Sequence, residues 1–217
     1  MDWYIPFIIF AAIFGLIWYL ARFYEQKRTK KLETFALTAG FNFSAKGDDA
    51  LLASFSEFPL FSVGRSKRLT NLLQGRQGDA EVSIFDYKYT VGGGQNSRQY
   101  RQTVICFRSD RLKLPAFTLR PENIFHKIGT AFGYQDVDFE HSPEFSKDYL
   151  LRGRDEQAIR SAFNAGVLAY YTVNKGLCTE GEGDRLIYYR SGKRVKLENL
   201  PTFVEEGREV YQQFHRR

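Results

Sequence analysis

Residues 3–21 read WYIPFIIFAAIFGLIWYLA, a run without one formally charged side chain. As a helix rising 1.5 Å per residue it reaches roughly 28 Å, the depth of a bilayer's hydrocarbon core. No other feature limits the chain's options so strongly, because a polypeptide in lipid must close its backbone hydrogen bonds within the segment. Both tryptophans fall here, Trp3 and Trp18, each followed by a tyrosine, Tyr4 and Tyr19. Amphipathic rings at both ends mark two lipid–water interfaces. Pro6 lies in the first turn, where its missing N–H breaks no helical bond.

A cleaved signal peptide would carry a basic n-region and a shorter apolar stretch before a small-residue cleavage site. Here only Met1 and Asp2 precede the run, and the basic residues follow it: Arg22, Lys27, Arg28, Lys30 and Lys31, with Glu25 the one acid among them. Lys and Arg concentrate on the cytoplasmic flank of a span. The expectation is therefore an uncleaved single-pass anchor over residues 1–21 in a cell inner membrane, N-terminus out, with the C-terminal domain in the cytoplasm. The basic run over 22–39 either only fixes this orientation or also attracts anionic head groups.

The formal charge of +6 invites a nucleic-acid partner, but its distribution argues against one. Residues 22–31 carry net +4, whereas residues 32–217 carry 26 bases and 23 acids. A nearly balanced domain offers no footprint for a phosphodiester backbone. Cys106 and Cys178 have no C-x-x-C partner and read as reduced core thiols.

Residues 22–39 continue as a helix, with Leu32, Phe35, Ala36 and Ala39 on one face and Gly40 closing it. Asp48 caps a short helix over 49–55, and Pro59 interrupts a strand or extended segment over 58–64. Turns at Gly78-Asp79 and at 92–97 divide residues 70–108 into three antiparallel strands. Closing the second hairpin with Val91 opposite Arg98 places Tyr89 against Tyr100, Phe85 against Val104 and Val82 against Phe107. Asp86 then faces Thr103 as the polar pair at the boundary between an apolar base and a tip that projects into solvent.

A strand at 117–119 and a helix from Pro121 to Phe132 follow. Residues 136–153 read as strand, turn at Ser142-Pro143, and strand. A single helix capped by Asp155 runs to just before Gly176. Short strands turned at 181–183 and 191–192 precede a last helix from Pro201, with Phe203, Gly207, Val210, Tyr211 and Phe214 on one face. Local strand pairing with helices after it is an α+β fold. Residues 40–217 form one domain, or two lobes over 40–133 and 134–217.

The segments "GFNF", "FDYKYT", "LPAFTLRPE" and "FSKDYLLRG" resemble those of uncharacterised bacterial membrane-anchored proteins with one N-terminal span and a cytoplasmic domain. That resemblance implies the anchored topology and carries no activity.

Catalytic signatures are missing: there is no G-x-S-x-G and no P-loop, and Gly92 to Gly94 do not open a helix after a strand. His126, His141 and His215 lie at no metal-ligand spacing. Asp136, Asp138 and Glu140, with Glu144, offer oxygen ligands but read first as a solvated strand face. Arg120 and, more so, Arg152 and Arg154 stand at predicted helix starts, where an anion would meet backbone N–H groups. The sequence thus predicts no catalytic, cofactor or metal residues. It predicts a tethered, non-enzymatic module that binds a protein partner or the membrane surface, with an unrecognised enzyme or an accessory subunit of a membrane complex as alternatives.

Overall fold

The computed structural model describes residues 4–122 and 136–215. Trp3, His126 and the helix expected up to Phe132 lie outside the described residues. The first element, α1, is one helix from Ile5 to Ala39, about 52 Å long at 1.5 Å per residue. It joins the apolar run to the basic one without a break. Gly40 ends it at φ +75°, a left-handed value that glycine adopts freely.

The strands are β1 (Asn42–Ser44), β2 (Arg65–Gln77), β3 (Ala80–Val91), β4 (Arg98–Arg108), β5 (Leu114–Pro121), β6 (Tyr149–Gly153), β7 (Cys178–Gly183) and β8 (Arg185–Tyr189). They form one antiparallel sheet in the order β1-β2-β3-β4-β8-β7-β5-β6. The fold is α+β, as expected. The β3–β4 register has Val91 opposite Arg98, Asp86 opposite Thr103 and Val82 opposite Phe107, as the turn chemistry required.

The other helices are α2 (Asp49–Ser54), α3 (Pro59–Ser62), α4 (Pro143–Asp148), α5 (Glu156–Ala162), α6 (Ala165–Val173) and α7 (Leu200–His215). They cover both faces of the sheet. On one face Phe55, Phe58 and Phe61 pack over Phe85, Tyr87, Tyr89 and Tyr189, with both cysteines. On the other, α4 to α7 enclose a larger core holding Ile105, Phe107, Phe145, Phe163, Tyr188 and Phe214. Gly207 lets α7 lie close to the sheet, since a Cβ there would sit 2.9 Å from Ile105 Cγ2 and 3.3 Å from both Phe107 and Tyr188.

Several local expectations are corrected. Pro59 opens the helical turn α3 instead of interrupting a strand; its fixed φ suits the first helical position, and the turn buries Leu60 and Phe61. Between 136 and 148 only Asp136 pairs as a strand residue, with Arg152, and Pro143 starts α4. Pro121 ends β5 opposite Tyr149, and Glu122 directly after it is helical, one residue later than expected. The long helix after Asp155 is two, because Asn164 re-caps the chain by accepting from the N–H groups of Gly166 and Val167. β7 runs through Gly181, over which the Phe117 ring lies. The β3–β4 tip is covered on one side, for Tyr87 and Tyr89 are buried in a run of adjoining rings from Phe61, tilted on Tyr87, to Tyr100, stacked on Tyr89.

Candidate functional site

Polar contacts from α1, β2, β4 and the segment around Arg194 converge on Asp86. Helical spacing puts Glu25, Arg28, Thr29, Leu32 and Ala36 on one face of α1, and that face lies on the sheet. Leu32 and Ala36 are buried in the larger core. One to two turns nearer the apolar run, the contacts become polar. Arg28 donates from Nε to Asp86 Oδ2 and from Nη2 to Oδ1, both at 2.8 Å, a two-pronged pairing across 58 residues. Its Nη1 donates to the Val195 carbonyl at 2.7 Å.

Asp86 receives three further donors. The Thr103 hydroxyl reaches Oδ1 at 2.9 Å, while Asn71 Nδ2 and Arg194 Nε reach Oδ2 at 3.0 and 3.1 Å. Asn71 in turn accepts from Thr29 Oγ1 at 2.8 Å, so its amide bridges α1 and the carboxylate. It is aimed there by an irregularity in β2 between Thr70 and Leu73, where Asn71 adopts φ +53°; asparagine is among the few side chains that tolerate this conformation. Arg194 closes the ring by donating from Nη1 to Glu25 at 2.6 Å.

The side chains of Arg28 and Asp86 are 13% and 7% exposed. Burial pushes the Asp86 carboxyl up, but the Arg28 hydrogen bonds and charge, with Arg194 and Asn71 behind them, outweigh it and hold the group below the usual carboxylate range. The Arg194 hydrogen bond likewise lowers Glu25 against its own partial burial. With five donors on two oxygens, Asp86 has no lone pair left to serve as a base. Chemically the arrangement is a clamp: it fastens the helix to β2, β3, β4 and the loop around Val195.

Above the clamp lies a cleft of about 250 Å³, lined among others by Glu25, Thr29, Arg68, Lys88, Arg101 and Arg194. The remaining residues singled out from sequence are distributed differently. Arg22, Lys27, Lys30 and Lys31 are exposed along α1, and the Arg22 guanidinium lies 5.8 Å from the Trp18 ring centre. Tyr4, Trp18 and Tyr19 are exposed. Arg152 and Arg154 share a narrower cleft with Glu57 and Glu182, two acids against two bases. Arg120 is partly buried and pairs with Glu180 at 2.8 Å. Asp136 accepts from the Leu151 N–H, and among the described residues no three acids, histidines or cysteines gather as a metal site.

The sequence exposed Asp86 and Thr103 as a pair but not Arg28, which stands inside a charged run that reads as solvated. The available signal was phase: Arg28 lies four residues before Leu32 on the face whose apolar members were already apparent.

Fold and clamp together define an antiparallel α+β module joined to an apolar helix that is a candidate membrane span, whose most apolar stretch is not packed in the core. No protein-family model matches the chain, and no curated protein does. Among solved structures, the crystal structure of the mycobacterial trehalose monomycolate transport factor A, TtfA, is similar, with a TM-score of 0.60 over 86% of this chain and 92% of that one at 13% identity. The likeness is one of fold.

Proposed function

We propose that the chain is a single-pass inner-membrane protein, N-terminus out, whose residues 40–217 form one non-enzymatic cytoplasmic domain acting as an accessory module at the bilayer. It binds a protein partner or the membrane surface. The observation that carries this reading is the Arg28–Asp86 clamp: it commits a buried carboxylate of β3 to holding the domain on its anchor, and leaves that group no catalytic role. Similarity to a transport factor supports an accessory part in transport at a membrane.

Affinity purification of the full chain in mild detergent tests the proposal. It should recover a membrane protein in fixed ratio, and loss of that ratio on Asp86→Ala with the chain still in the membrane would show that the clamp matters to partnership. Protease accessibility of the domain only from the periplasmic side would refute the orientation.

A further inference from the structure

Arg68, Lys88 and Arg101 lie directly opposite one another across β2, β3 and β4. They share the sheet face of Asp86, being two residues further toward the hairpin tip. Like charges in facing positions repel and destabilise a sheet. Arg101 is relieved in part by Glu25 at 3.3 Å, but among the described residues Arg68 and Lys88 have neither an ion-pair nor a side-chain hydrogen-bond partner. All three line the 250 Å³ cleft together with Arg194. Among the described residues the only acids there are Glu25 and Asp86, both already engaged by arginines. A concave site with a surplus of guanidinium and ammonium groups is an anion site.

Its place along α1 identifies the anion. Glu25 and Thr29 form the helical wall of the cleft, and they lie about 6 and 12 Å beyond the end of the apolar run at 1.5 Å per residue. The polar head-group layer is about 5–7 Å deep on each side, so Glu25 stands within it and Thr29 lies within the roughly 8 Å Debye length over which anionic lipids project their field beyond it. The contacts also fix the sense of the sheet: Arg28 meets Asp86, and Glu25, nearer the span, meets Arg101, nearer the hairpin tip. The cationic row therefore stands between the clamp and the membrane.

Resting on the anchored reading above, we infer that the Arg68–Lys88–Arg101 row seats the phosphate of an anionic phospholipid head group in the cleft between α1 and the sheet. The lipid supplies the counter-charge that the fold omits. Filling the cleft adds donors' partners on β2, β3 and β4 at once, so the bound lipid ties the sheet to the surface in the orientation the clamp sets.

Native mass spectrometry of the full chain in detergent micelles, titrated with phosphatidylglycerol, tests this. Wild-type protein should bind one phosphatidylglycerol in preference to phosphatidylcholine. The Arg68→Gln/Lys88→Gln variant should bind about thirtyfold more weakly, for two surface charges, with its melting temperature unchanged or raised because repulsion is relieved. Lys27→Gln/Lys30→Gln/Lys31→Gln, outside the cleft, should bind as wild type does. Equal binding of phosphatidylcholine, undiminished binding by the cleft variant, or displacement by an equal concentration of glycerol 3-phosphate would each overturn the inference, the last by reassigning the site to a soluble phosphate. Micelles report affinity and not topology, so these failures leave the anchored-module reading standing; that reading fails separately if the chain washes from membranes in alkaline carbonate.

Discussion

Replacing Asp86 by alanine should free α1 from the domain. In the folded protein Asp86 takes five donors, and two of them belong to Arg28, whose side chain is 13% exposed. Without the carboxylate, that guanidinium keeps only the Val195 carbonyl and a long 3.4 Å contact to Thr103. Removing one partner of a buried ion pair costs about 3–5 kcal/mol, because the other charge is left uncompensated. Arg194 loses less, since it retains Glu25. The relaxation open to the molecule is to lift α1 so that Arg28 regains water. Local opening of residues 25–36 should therefore become cheaper by most of that amount, which corresponds to an exchange rate on the order of a hundredfold to a thousandfold faster. Hydrogen–deuterium exchange of the full chain in nanodiscs measures this directly, with peptides from α7 as the internal reference. Arg28→Met paired with Asp86→Leu, which removes both charges and keeps bulk, should restore much of the protection. If Asp86→Ala changes exchange over 25–36 by less than about fivefold, the polar network does not hold the helix, and Leu32 and Ala36 alone must.

Three further outcomes follow from other parts of the fold. Gly207→Ala drives a methyl into Ile105 and should cost about 1–3 kcal/mol in denaturant unfolding, whereas the same change at exposed Gly93, with nothing within 4 Å, should cost far less. Glu180 is fully buried and accepts from Arg120, Tyr189 and the Leu60 N–H, so Glu180→Ala should destabilise by about 3–5 kcal/mol and loosen α3, read by thermal melting and proteolysis. Hydrogen bonds from Ser109 and Tyr211 hold the Asp79 carboxyl down at about 2; its stabilisation is thus fully present above the unfolded value near 3.9 and is lost as pH falls toward 2, so stability measured from pH 5 to 2 should fall less steeply in Asp79→Asn than in wild type.

What could be read from the sequence were features set by neighbours in the chain. The apolar run, the α1 stop at Gly40, the β3–β4 register and the buried face of α7 each depend on short periods or a turn, and the index sum through Val91 and Arg98 placed Asp86 opposite Thr103. What could not be read depends on tertiary context. Pro59 and Pro143 are compatible with both a broken strand and a helical start, and the burial of Phe61 and Phe145 decided for the helix. The break at Asn164 is invisible to a period that continues in phase across it. The clamp required knowing that β3 passes beside α1, and the cation row required knowing that Arg68 lies opposite Lys88, past an irregular stretch of β2 that no turn specifies.

The central physical claim is that Asp86 holds the domain in a fixed orientation on α1, the candidate membrane span. Double electron–electron resonance tests it in nanodiscs, with spin labels on cysteines introduced at exposed Lys27 and Arg76. The native thiols should stay unlabelled, since burial pushes Cys106 and Cys178 up to about 12. A single narrow distance distribution in the wild-type background, broadened by Asp86→Ala, is the predicted result. A broad distribution in the wild-type background, or one that Asp86→Ala leaves unchanged, would contradict it.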